Sequence, residues 1–274
     1  MRIVVLVSQG QRNRGYGVPA EVMAAGVEAP VVETHLPVFP ANRLEHKLIE
    51  LSTIEGGLAA AAGADGIFIN TVGDYGLAGL RSALRIPVVG AGQAGMHLAA
   101  SLGERFAIVT IWPRVLRYLY QGLLRDYALS ERCVAIRHVG EERELAALDQ
   151  PDNFVLDMRA GKEAMVARIV KEMRAAIEQD GADTILLGCT CMAPIARRLA
   201  KAVEVPVVDP LTAGYKSCEM QAALGLVHSP LVFRPAANTP QRTRQLAAMI
   251  DAARPLQGSI AEACEMCQVT EAAE

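Results

Sequence analysis

The chain has 274 residues, room for one large domain or two small ones, and 51% of them are apolar, enough for a substantial core. A net charge of −3 at pH 7 provides no basic surface, which excludes nucleic acid as the expected partner. No apolar run reaches the ~18 residues that a membrane-spanning helix needs, so no membrane partner is expected either.

The chain opens on Met1-Arg2-Ile3-Val4-Val5-Leu6-Val7. This run lacks a small-residue cleavage site and reads as a first strand, not a signal peptide. Six cysteines without a secretory signal predict reduced thiols and a cytoplasmic location. Further strands are predicted at residues 66–70, 87–89, 106–111, 134–139, 184–187 and 206–208. They are continuously apolar, as expected when helices cover both faces of a sheet. Helices are predicted at 44–62, 158–179, 195–202, 213–224 and 242–253. The longest carries Lys162, Val166, Ile169 and Met173 at helical spacing. Residues 258–274 form a small, polar, acidic tail. The alternation predicts an α/β fold built from βαβ units and parallel sheets.

Two stretches repeat. Residues 63–71 match residues 181–189, which places Thr71 on Cys189, and Ile86-Pro87-Val88-Val89 matches Val205-Pro206-Val207-Val208. Such duplication predicts two similar Rossmann-like parallel-sheet domains related by pseudo-two-fold symmetry, with the active site in the cleft between them. Residues 106–110 then play the part of residues 3–7, and Thr110 that of Ser8. The first half is expected to comprise residues 1–104 plus 209–274, and the second residues 105–208. Ligands of such sheets bind beyond the carboxyl ends of the strands. Those ends are residues 8–10, 70–76, 90–95, 110–114, 188–192 and 209–214, rich in Gly, Ser, Thr, Asn and Asp. They suit a small polar or anionic ligand.

Cys189 follows a strand and a glycine, and Pro194 suits the first turn of the next helix. Unpaired N–H groups at a helix start stabilise a thiolate, so Cys189 is a candidate base or nucleophile despite a resting thiol pKa of ~8.5. The alternative is a buried structural cysteine. Cys191 lacks a second pair for a metal site and is expected to be a spectator. Asp74 is a candidate acid–base group, or else a turn aspartate between Gly73 and Gly76. Trp112 could wall a pocket and Arg114 could hold a carboxylate. Ser8, Gln9, Gln93, Thr110 and Thr212 sit at strand ends as candidate ligand contacts, Gln93 and Thr212 also as helix caps.

His35, His46, His97, His138 and His228 form no metal spacing, and Cys264-x-x-Cys267 has no partner pair. No metal is expected. Residues 91–95 are glycine-rich but lack the dinucleotide fingerprint, and no cofactor is expected.

Gly188-Cys189-Thr190-Cys191-Met192-Ala193-Pro194 resembles the second-cysteine motif of the aspartate/glutamate/hydantoin racemase superfamily, nearest its hydantoin and allantoin racemase branch. Val72-Gly73-Asp74-Tyr75-Gly76-Leu77 resembles the first motif of that branch, and residues 87–92 the segment after it. The resemblance covers roughly residues 1–230. It implies cofactor-independent chemistry in which two facing cysteines remove and add the substrate's α-proton. Here the first cysteine falls on Thr71, whose hydroxyl is no base near pH 7. The arylmalonate decarboxylases resemble this one-thiol arrangement, with hydroxyls holding an anionic intermediate. By that likeness Asn70, Thr71 and Thr190 would hold an enolate or oxyanion.

The chain therefore reads as a racemase- or isomerase-like enzyme acting on a small carbonyl compound such as a 5-substituted hydantoin. Cys189 is its thiol, and a small-molecule substrate and further copies of the chain are its expected partners. A one-thiol decarboxylase, lyase or hydrolase on a hydantoin-like or thiohydantoin-like ring is one alternative. A non-enzymatic small-molecule sensor is the other.

Overall fold

The computed structural model describes residues 1–8, 15–145, 147–148, 153–235 and 237–253. Gln9 and the Cys264/Cys267 pair lie outside them.

The first half runs β1 (Ile3–Val7), β2 (Val31–Glu33), α1 (Arg43–Ala60), β3 (Gly66–Ile69), α2 (Leu77–Ala83), β4 (Val88–Gly90) and α3 (Ala91–Leu102). The second runs β5 (Phe106–Thr110), α4 (Arg117–Asp126), β6 (Cys133–His138), α5 (Glu142–Leu145), α6 (Phe154–Arg159), α7 (Glu163–Glu178), β7 (Thr184–Leu187), α8 (Ala193–Ala200) and β8 (Val207–Val208). Helices α9 (Pro210–Ala223) and α10 (Thr239–Ala253) follow. The strands form two parallel four-stranded sheets, ordered β2-β1-β3-β4 and β6-β5-β7-β8.

Every residue of β1, β3, β5 and β7 is buried. Helices shield both faces of these central strands, which is why they carry Val, Ile and Leu without alternation. Duplication extends to the register. Ile3 to Leu6 pair with Gly66 to Ile69, and Phe106 to Val109 pair with Thr184 to Leu187. This register sets Thr110 against Val7, not Ser8, so the expected equivalence is off by one residue.

Helix α1 begins at a capping box. Asn42 Oδ1 accepts from the Leu44 and Glu45 N–H groups, and the Asn42 N–H donates to Glu45 Oε2. The helix expected over residues 158–179 is instead two, α6 and α7. Gly161 lies between them at φ 67°, a left-handed conformation that ends the first helix. The strand-end stretches at residues 90–95 and 209–214 run into the first turns of α3, which was not expected, and of α9, which was expected only from residue 213. These helices occupy equivalent places and pack on each other. Small residues make this possible: a Cβ on Gly214 would stand 2.4 Å from the Phe68 ring, and one on Gly95 would stand 2.9 Å from Leu186. Helix α3 also touches β4, β7 and β8, so it bridges the sheets; α9 lies on β3 and β4, and α10 on α1. Among the described residues no helix is long and apolar enough to cross a membrane.

Candidate active site

The carboxyl ends of β3 and β7 face one cavity of about 360 Å³. Asn70 and Thr71 follow β3, and Gly188, Cys189, Thr190 and Cys191 follow β7; all six line it. Each pair sits where its strand runs out of sheet partners and its backbone turns away. Ser8, after β1, lines it too.

The first strand end is held from behind and unpaired in front. The Asn70 N–H donates to the Leu6 carbonyl and Asn70 Nδ2 donates to the Tyr16 carbonyl, 2.7 Å away. That contact fixes the amide orientation and turns Oδ1 away as a bare acceptor. Asn70 Oδ1 and Thr71 Oγ1 are both buried without a hydrogen-bond partner. An unpaired buried polar group costs about 1–3 kcal/mol, a deficit a ligand offering matching groups would remove.

The second strand end is held by a chain of hydrogen bonds. Tyr120 donates its hydroxyl to the Gly188 carbonyl at 2.8 Å. Its only proton being spent there, the Thr110 hydroxyl donates to Tyr120 Oη at 2.7 Å. The Trp112 N–H donates to Thr110 Oγ1 at 3.3 Å. Burial raises the Tyr120 phenol well above the ordinary tyrosine range, so this relay stays protonated. The Thr190 hydroxyl donates to the Asn70 carbonyl at 3.0 Å, tying the two strand ends together. The Cys191 N–H points at Cys189 Sγ, 3.2 Å away.

Cys189 and Cys191 are joined by a disulfide, with Cα atoms 5.2 Å apart. The expectation of reduced thiols throughout is therefore corrected for this pair. A separation of two residues over the turn Thr190–Met192 leaves the Cα atoms within disulfide range. Cys133 and Cys218 are free, and burial pushes both thiols up to about 12. Neither lines the cavity.

The remaining walls are apolar. Phe39, Trp112, Leu116, Leu119, Leu148 and Val155 line them, and Trp112 packs between the rings of Phe39 and Phe154 at 4.9 and 5.8 Å. The segment 37–40 reaches over from the first half, and Tyr118 of α4 donates its hydroxyl to the Pro40 and Asn42 carbonyls at 3.0 and 2.9 Å. Among the described residues that line the cavity there is no Lys, Arg, His, Asp or Glu. Burying an unpaired carboxylate costs many kcal/mol, so a neutral polar ring fits this cavity better than a free acid.

Of the residues the sequence singles out, Cys189, Thr71, Ser8, Asn70, Trp112 and Thr190 come together on this cavity. Five do not, each for a physical reason. Asp74 sits at φ 47° and turns its carboxylate onto the start of α3, accepting from the Gly92 and Gln93 N–H groups and the Tyr127 hydroxyl. It is a helix cap supplied by a neighbouring loop and does not line the cavity. Burial nevertheless lifts its pKa to about 6, against the pull of those three donors. Gln93 accepts from the buried Arg81. Thr110 stands behind Tyr120. Arg114 is exposed on a short turn. Thr212 bonds Asp209, the N-cap of α9. Sequence reasoning passed over Tyr16, Phe39, Tyr75 and Tyr120, which all line the cavity. The paired prolines around Val38-Phe39 were the one local hint of a rigid covering segment.

A duplicated two-sheet α/β protein with an enclosed polar-floored cleft at facing strand ends is the class this architecture defines. Residues 35–218 match the family model Asp/Glu/Hydantoin racemase. The hydantoin racemase of Rhizobium meliloti is 32% identical over 226 residues, covering 79% of this chain and 88% of that protein. The hydantoin racemase of Pseudomonas sp. (strain NS671) is 34% identical over 169 residues, and the match spans 62% of this chain but only 63% of that relative's length. The solved structure of allantoin racemase from Klebsiella pneumoniae superposes with a TM-score of 0.73 at 28% identity, covering 86% of this chain and 94% of that one. The chain belongs to the Asp/Glu/hydantoin racemase family.

Proposed function

We propose that this protein is a cofactor-independent, racemase-type enzyme that moves the α-proton of a small neutral carbonyl ring, with a 5-substituted hydantoin as the model substrate. The observation that carries the reading is the pair of facing strand ends, one ending in a cysteine sulfur and the other in a hydroxyl beside an unpaired amide oxygen. The chemistry belongs to the dithiol form, because Cys189 in a disulfide has no proton to exchange. As a thiolate, supported by the Cys191 N–H, Cys189 removes the proton next to the carbonyl. The electron pair moves onto the carbonyl oxygen, where the Thr71 hydroxyl donates to it. Asn70 Oδ1 accepts a ring N–H, which fixes the ring plane. The substituent lies against Phe39, Trp112, Leu116 and Leu119.

With one thiol, the proton leaves and returns on one face. The expected result is rapid α-deuterium uptake by one enantiomer in D₂O, with inversion much slower than exchange. Incubating the reduced protein with both enantiomers of aromatic and aliphatic 5-substituted hydantoins, followed by NMR and chiral chromatography, tests this. Absence of exchange into any of them would sink the reading. The unpaired Thr71 hydroxyl also favours a second reading, a one-thiol decarboxylase, lyase or hydrolase that parks negative charge on the first strand end. Loss of carbon dioxide or ring opening, in place of exchange, would identify it. Dialysis against EDTA is expected to leave either activity unchanged.

A further inference from the structure

We infer that Cys191 is a resolving thiol and that its disulfide with Cys189 is a reversible, peroxide-driven off state of the active site. The proposal rests on the assignment of Cys189 as the working thiol. Four observations carry it. Both cysteines line the cavity, so a small oxidant that enters where the substrate enters meets them first. Their sulfurs are bonded to each other in this structure. Cys191 is 2% exposed and its carbonyl accepts from Arg159 at 3.4 Å, so its backbone is anchored with the sulfur facing inward along the turn. The free cysteines among the described residues, Cys133 and Cys218, lie away from the cavity and are held as thiols by burial, so among the described cysteines oxidation is directed to one pair.

The chemistry balances with a hydroperoxide as oxidant. The Cys189 thiolate attacks the terminal peroxide oxygen; an S–O bond forms, the O–O bond breaks, and the remaining alkoxide or hydroxide takes a proton. The Cys191 sulfur then displaces the oxygen from the Cys189 sulfenic acid. The S–S bond forms and water leaves, carrying the Cys191 proton. Two thiols are oxidised and one peroxide is reduced. A small dithiol reverses the state by exchange through a mixed disulfide. Capture by Cys191 also keeps Cys189 from advancing to the irreversible sulfinic and sulfonic acids.

The test uses the full-length protein, reduced with a dithiol and desalted. It is titrated with hydrogen peroxide while intact mass, the peptide map and substrate turnover are followed. The expected result is loss of the mass of two hydrogens, a crosslink mapped to Cys189–Cys191, and turnover that falls in proportion to the crosslink and returns with dithiol. Cys191→Ser, compared with its own reduced activity and checked for folding by circular dichroism, is expected to gain oxygen on Cys189 instead and to be lost irreversibly. If peroxide leaves Cys189 and Cys191 both alkylatable, or crosslinks another pair, the proposal is overturned; this outcome needs no variant and no substrate. If the crosslink forms and turnover does not fall, the switch is also overturned. In that case the activity of reduced Cys189→Ala decides whether the error lies in the assignment of Cys189 itself: retained activity removes that assignment, and lost activity removes only the switch.

Discussion

The two strand ends that meet at the cavity occupy equivalent positions and are built in opposite ways. After β7, Gly188 and Cys189 rest on a protonated relay through Tyr120 and Thr110, and the Cys191 N–H points back at Cys189 Sγ. After β3, Asn70 and Thr71 are braced from behind and leave an amide oxygen and a hydroxyl unpaired. The same contrast recurs one element later. Helix α9 is capped by its own Asp209, whereas α3 borrows Asp74 from the loop after β3. One copy is self-sufficient and positions a sulfur. The other leaves two buried polar atoms without a hydrogen-bond partner. Duplication thus kept the frame while the two strand ends diverged.

Breaking the sulfur side has the largest expected effect. Cys189→Ala should abolish exchange, a loss of about 10²–10⁴-fold or more for a proton-transfer group, with the fold retained. Cys191→Ala should cost far less under reducing conditions. Rates measured on reduced protein check both, and near-normal Cys189→Ala activity would dismiss the contrast altogether. On the open side, Thr71→Val should lose about 3 kcal/mol of transition-state stabilisation, as for one oxyanion donor. Thr71→Cys sharpens the comparison by restoring a second thiol. It should open a proton path on the other face, and chiral chromatography should then find racemisation where the parent protein gives exchange on one face only.

Tyr120→Phe tests whether the relay positions the sulfur. It leaves the Gly188 carbonyl and the Thr110 hydroxyl without their partner, so stability should fall by about 1–3 kcal/mol and turnover should fall with little change in KM. The smallest effect concerns the borrowed cap. Asp74 titrates near 6 when folded, above its ordinary range, so the folded state binds its proton more tightly than the unfolded chain does. Its contribution to stability is therefore full at pH below the unfolded value and declines as pH rises through about 6. Asp74→Asn removes that titration. The stability difference between the two proteins, from urea unfolding, should shift between pH 4.5 and 7.5, and a pH-independent difference would show that Asp74 does not titrate there.

Much of the frame was legible. The central strands are readable because burial on both faces allows no polar alternation, and the internal copy by itself pairs Thr71 with Cys189. Helix α3 is missed and the start of α9 falls late in the sequence reading for one reason. Glycine and hydroxyl residues at a strand end signal either a ligand loop or a tightly packed helix start, and here the small residues serve helix packing. The break at Gly161 was hidden because apolar spacing continues across it. Tyr120 and the segment 37–40 could not be foreseen, since Tyr120 reaches the Gly188 carbonyl from a helix far earlier in the chain, and the segment 37–40 is held beside the cavity by Tyr118 of the other half. Asp74 was drawn away from the cavity by hydrogen bonds to backbone that no local pattern records.

The covering segment at residues 37–40 belongs to one half of the molecule, yet its backbone is pinned by the Tyr118 phenol of the other. Tyr118→Phe would remove both of these hydrogen bonds at once and leave the segment held beside the cavity by packing alone, with the Phe39 ring still against Trp112.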